Sequence, residues 1–144
     1  VSFEEALSEN YMKYILQVKK NAQAMAESLI EKNYNIISNG TDNHLMLIDL
    51  SNKKITGKIA ENTLVKADIT INKNMVPFDE ESPFITSGMR IGSAAITTRG
   101  MKETDMKKVV FYIDEVLKNK EDDKKIKEIK IEINKWMKDY PLFK

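Results

Sequence analysis

Tyr34-Asn35-Ile36-Ile37-Ser38, then Asn39-Gly40-Thr41-Asp42-Asn43, then His44-Leu45-Met46-Leu47-Ile48-Asp49-Leu50 is the run on which the fold class turns. A short apolar stretch, a polar cluster containing glycine and a second apolar stretch of strand length predict two strands joined by a turn. Downstream, Thr56 is placed to cap a helix over residues 57–66 with Ile59, Ala60 and Leu64 inward. Ile69-Thr70-Ile71 predicts a short strand and residues 86–91 another. Residues 102–118 predict a helix with Met106, Val109, Val110, Ile113 and Leu117 on one face. A charged break at 119–125 precedes a last helix with Ile126, Ile129, Ile133, Trp136 and Met137 on one stripe, stopped by Pro141. Upstream, Ala6, Leu7, Tyr14, Ile15, Val18, Ala22, Met25, Ala26 and Leu29 recur at spacings of three and four, so residues 3–32 predict one unbroken helix. Such a helix is roughly 40 Å long, more than a compact domain of this size needs, and its front half is expected to pack on something else. The order helix, strand, strand, helix, strand, strand, helix, helix predicts an α+β fold: a small three- to four-stranded sheet with helices packed on one face.

The chain has 144 residues, which suits one domain, and 42% are apolar, enough for a core. Its 23 basic and 22 acidic residues give a net charge of +1, which offers no electrostatic footprint for nucleic acid. The charge-dense stretch 118–135 alternates in sign and leaves an apolar stripe, the pattern of a solvated helix face. Cysteine is absent, so disulfides, zinc–thiolate sites and cysteine nucleophiles are excluded. No apolar run approaches the roughly 18 residues of a membrane span. The start, Val1-Ser2-Phe3-Glu4-Glu5, lacks the pattern of a signal peptide and has no initiator methionine, so the chain is expected to begin inside a longer reading frame. No His/Asp/Glu grouping has metal-ligand spacing.

Chemistry-bearing residues concentrate in Asn72-Lys73-Asn74-Met75-Val76-Pro77 and Ser82-Pro83-Phe84-Ile85-Thr86-Ser87-Gly88-Met89-Arg90-Ile91-Gly92. Amides, an arginine, prolines and glycines gathered between regular elements suit a loop-borne binding site. Arg90 offers a planar, permanently charged fork that meets a carboxylate with two parallel hydrogen bonds; its bland alternative is a strand-end arginine pairing with a surface acid. Asn72 reads as a turn asparagine bonding its own backbone. His44, the only histidine, opens an apolar strand and reads as structural. Arg99 reads equally as a residue orienting the domain through ion pairs. Trp136 reads as a packing anchor.

These segments, with Ile55-Thr56-Gly57-Lys58, Thr97-Thr98-Arg99-Gly100 and the closing Trp136 to Pro141, follow one another as they do in serine hydroxymethyltransferase, and the chain resembles the C-terminal small domain of that family together with the helix leading into it. The departures are Asn39 where glycine is common, Phe78 where a small polar residue is common, and Ser93-Ala94 in place of Thr-Pro. The resemblance implies the C-terminal domain of the aspartate-aminotransferase-like (fold type I) pyridoxal-phosphate enzymes. It divides the chain into residues 1–33, a helix linking to an absent cofactor-binding large domain, and residues 34–144, the small domain. It implies a parent glycine hydroxymethyltransferase that interconverts serine and glycine and passes one carbon to tetrahydrofolate, cytoplasmic and homodimeric, with no nucleic acid or membrane partner. Arg90 matches the arginine that holds the substrate carboxylate. Asn74 matches the asparagine that meets the pterin ring, and Ser82-Pro83-Phe84 a loop lining the folate site, where Phe84 offers a flat wall; the bland alternatives are a turn asparagine and a rigid turn with Phe84 in the core. The Thr-His-Lys signature carrying the Schiff-base lysine does not occur here. Pyridoxal phosphate and tetrahydrofolate are therefore expected in the parent and neither on this chain alone, which holds no catalytic residue and is expected to be inactive. A competing reading is a stand-alone folate- or anion-binding module without catalysis.

Overall fold

A computed structural model describes residues 2–142. Two helices open the chain: α1 (Ser2–Ala6) and α2 (Glu9–Glu31). The expected single helix is broken because Ser8, in extended backbone, caps α2 by accepting from the Tyr11 N–H at 3.2 Å, a side-chain option that competes with helix continuation. β1 (Asn35–Ile36) and β2 (Leu45–Asp49) follow, then α3 (Gly57–Lys66), β3 (Asn72–Asn74) and β4 (Gly88–Gly92). α4 (Ala94–Thr98), α5 (Glu103–Lys118) and α6 (Asp123–Met137) complete the chain. α3 has the expected bounds and cap, with Thr56 Oγ1 accepting from the Ile59 N–H. α4 was not expected. The third strand lies at Asn72–Asn74 rather than 69–71, and α6 begins inside the expected break, where the Asp122 carboxylate accepts from the Lys125 N–H.

The sheet is antiparallel throughout in the order β1-β2-β4-β3. Its inner face is apolar: Ile36, Met46, Ile48, Met89 and Ile91 are buried. They pack on Ala22, Met25, Ala26 and Leu29 of α2, on Ala60 and Leu64 of α3, and on Met106, Val110 and Ile113 of α5. This is the α+β arrangement expected, with helices on one face. One expectation of burial is corrected: Ile59 is exposed on α3. At the front of the chain Leu7 and Ile15 are exposed with Phe3, Met12 and Leu16. The stripe that faces the core in the second half of α2 continues into the first half, where Tyr14 bonds to α4 while Leu7, Tyr11 and Ile15 stay exposed among the described residues.

Two polar knots tie the helices together. Buried Asn21 of α2 donates to Thr97 Oγ1 (2.8 Å) and to the Met101 carbonyl (2.9 Å), and its own oxygen accepts from Gln17. Buried Asp114 of α5 accepts from the Tyr34 hydroxyl and faces the ammonium groups of Lys118 (2.7 Å) and Lys32 (3.3 Å). Asp114 Oδ2 is held by those two charges rather than by well-aligned hydrogen bonds. Burial pushes the Asp114 carboxyl up, and the two lysines more than reverse this, leaving it below the usual carboxylate range.

Candidate functional site

Side chains alternate across a strand, so the residues between the buried ones form the outer face. Register places Asn72, Arg90 and Leu47 in one row across β3, β4 and β2, and Asn74, Gly88 and Asp49 in the next, with Asn35 of β1 beside Asp49. Asn74 is thus the diagonal neighbour of Arg90, about 7–8 Å away. Asn72, expected as a turn residue, is a strand residue directly opposite Arg90.

Arg90 is exposed, and its guanidinium makes no hydrogen bond or ion pair among the described residues. It forms one wall of a cleft of about 570 Å³ whose other walls are residues 37–43 and Leu45, Met46 and Leu47. The turn forming that wall is held in shape by its own side chains. Asn43 Oδ1 accepts from the Leu45 N–H (2.7 Å), Thr41 Oγ1 donates to the Leu45 carbonyl (2.5 Å), and Ser38 and Asn39 take positive φ of 68° and 55°. Asparagine tolerates that conformation, so Asn39 stands where the backbone turns left-handed. Asp49 shares the outer face, but its carboxylate is committed to Asn35 Nδ2 and the Ser51 N–H.

The remaining candidates sit on the loop between β3 and β4. Asn74 is half-buried and spends one amide proton on the Met75 carbonyl (2.8 Å). Ser82 and Pro83 are exposed, and the Ser82 carbonyl accepts from the N–H groups of Ile85 and Thr86. Phe84 is 80% exposed, which overturns the alternative that buries it in the core. None of Ser82, Pro83 and Phe84 lines the Arg90 cleft.

Sequence reasoning missed the residue that organises this loop. Asp79 accepts from the Ser87 hydroxyl (2.6 Å) and from the N–H groups of Ser87, Glu81 and Val76. Burial works to raise its pKa, but these donors together hold the carboxyl far below the usual range. The available signal was an aspartate opening the acidic, turn-forming stretch Asp79-Glu80-Glu81-Ser82-Pro83. The loop is also clamped to α3. The Ile85 and Thr86 carbonyls accept from the Lys58 and Gly57 N–H groups, both at 2.9 Å. Thr86 holds φ of 58°, costly for a β-branched residue by about 1–3 kcal/mol. Gly57 is required because a Cβ there would collide with Thr86 Oγ1 and the Gly88 carbonyl.

The family model described as Serine hydroxymethyltransferase matches residues 1–113. The chain belongs to the serine hydroxymethyltransferase family. Its four-stranded sheet with helices on one face fits the C-terminal domain of the fold type I enzymes. The match spans α1 to most of α5 and includes both the cleft and the loop, while α6 and the Trp136–Pro141 segment lie beyond it.

Family membership raises pyridoxal phosphate, which an enzyme holds through a lysine. No lysine lines the Arg90 cleft, and Lys73, on the other face of β3, is committed to Glu61 at 3.2 Å. The cleft does not fit that cofactor by itself. The side chain of His44 is exposed, and its backbone carbonyl accepts from the Ser93 N–H. Arg99 makes no ion pair among the described residues. It donates through Nε to the Tyr140 carbonyl (2.6 Å) and through Nη2 to the Met137 carbonyl (3.4 Å), tying down the end of α6. Trp136 packs against the core beside Tyr112 and Tyr140. No group of three or more His, Asp or Glu residues suited to a metal occurs among the described residues, and no helix there is long and apolar enough to cross a membrane.

Proposed function

We propose that this chain is the C-terminal domain of a serine hydroxymethyltransferase in which Arg90 holds the substrate carboxylate and Asn74, Ser82, Pro83 and Phe84 form part of the folate site. Residues 1–33 then lead in from the cofactor-binding domain of the same polypeptide, and 34–144 form the small domain. The parent interconverts serine and glycine as a cytoplasmic homodimer, and this chain alone is inert. The observation that carries the reading is Arg90, an uncommitted guanidinium at the wall of a cleft. A fork with no internal acid is free to take a carboxylate by two parallel hydrogen bonds. Gripping both oxygens fixes the rotation of the α-carbon, which is positioning of the kind that lowers a barrier without chemistry of its own. Asn72, opposite Arg90, carries no charge that would compete with the substrate. Phe84 offers an exposed ring face for a flat heterocycle and the free carbonyl of Asn74 an acceptor. Pyridoxal phosphate, held by the other domain, supplies the electron sink. The uncovered apolar stripe of α1 and the front of α2 supports this reading over a stand-alone module, since contiguous exposed apolar surface marks an interaction face.

The test is serine–glycine exchange with tetrahydrofolate in the full-length enzyme. Arg90→Ala is expected to lose about 3 kcal/mol or more of transition-state stabilisation in kcat/KM, with Arg90→Lys recovering only part because a point charge cannot form the bidentate pair. Full activity of the alanine variant would remove Arg90 from the substrate site, and activity of this chain by itself would refute the two-domain reading.

A further inference from the structure

A second cleft lies on the opposite side of the sheet from Arg90. β3 pairs with β4 only at Gly88, Met89 and Arg90, so residues 69–71 stand off from Ile91 and Gly92 instead of continuing the ladder. The gap opens into a cleft of about 510 Å³ between that segment and α4, α5 and α6. Its walls are mainly apolar, with Ile69, Ile96, Val109, Trp136 and Met137 partly exposed around a floor that includes Ile71 and Ile91. A concave apolar site of this volume with few polar groups is the usual form of a small-molecule pocket.

Its two ends differ in charge. At one end Asp68 is neutralised, accepting from Lys130 Nζ and Asn134 Nδ2, both at 2.9 Å. At the other end half-buried Arg99 has only carbonyl partners, and two of its donors are taken. No carboxylate among the described residues balances it. A partly desolvated guanidinium without a counter-ion beside an apolar trough is complementary to a ligand with an apolar body and one anionic head.

We infer that this cleft binds an apolar organic monoanion, an acyl or aryl carboxylate or sulfonate, with its head at Arg99 and its body along Ile96, Val109 and Trp136. Trp136 is the only tryptophan and reports directly on occupancy. The experiment titrates the 144-residue chain with decanoate and with decanol while following Trp136 emission, then repeats it on Ala95→Phe. Ala95 is exposed at the cleft and carries no core contact, so the added ring fills the mouth without disturbing folding. A saturable Trp136 change is expected, with decanoate binding about ten-fold tighter than decanol and affinity falling at least about ten-fold in Ala95→Phe. Equal affinity for the two ligands, unchanged binding in Ala95→Phe or no Trp136 response would overturn the inference. Circular dichroism of Ala95→Phe separates a filled cleft from an unfolded chain, and Ala95→Glu, which sets a carboxylate beside Arg99, is expected to weaken decanoate selectively. Because this cleft and the Arg90 cleft lie on opposite faces, either assignment can fail alone.

Discussion

The two faces of one sheet carry different kinds of information. On the inner face, Met46, Ile48, Met89 and Ile91 are buried and any apolar side chain of similar volume would serve them. On the outer face, one residue along, Arg90, Asn72, Asn74 and Asp49 are polar, individually distinct and little needed for packing. Neighbouring residues on β4 therefore differ in surroundings, one facing the core and one the open cleft.

Substitutions along this boundary sharpen the contrast. Met89→Ala should cost about 2–5 kcal/mol of stability, because Met89 is fully buried and its surroundings relax only in part around the void; a fall in the urea midpoint with unchanged slope would show it. Gly57→Ala should cost about 1–3 kcal/mol by forcing α3 away from Thr86 and Gly88, read by thermal unfolding. Asp79→Asn should cost about 1–3 kcal/mol, since the amide keeps one acceptor oxygen and turns its NH2 toward two of the four donors. The folded Asp79 pKa lies below its ordinary 3.8. Its stabilisation is therefore complete above that value and lost as pH falls through the folded one, so the wild type and Asp79→Asn should converge in stability under strong acid. Arg90→Ala should move stability by no more than about 0.5 kcal/mol. A large loss there would mean that Arg90 belongs to the fold, and the contrast between the faces would collapse.

The same division explains what was legible in the sequence. α3 was readable to the residue because Thr56-Gly57 is a local cap followed by a periodic stripe. The core of α5 was readable from its periodic stripe alone. β3 was not, since Asn72-Lys73-Asn74 has no strand-like composition and is a strand only because β4 offers its edge. The break before Ser8 was hidden by an apolar periodicity that runs through it. At the site, Arg90 and the loop were legible as motifs. The wall formed by residues 37–43 could be read only as a turn, because its meeting with Arg90 depends on β2 lying beside β4. Asp79 escaped notice because its four donors come from positions three residues before it to eight after it, and no short pattern joins them.

The clamp between the loop and α3 has a spectroscopic consequence. The first N–H groups of a helix have no partner within it and ordinarily exchange with solvent quickly. Those of Gly57 and Lys58 are instead bonded to Thr86 and Ile85. Their deuterium exchange therefore clocks the opening of a loop some thirty residues away in sequence, and two amides at the start of α3 become a built-in gauge of how often Ser82, Pro83 and Phe84 leave their resting place.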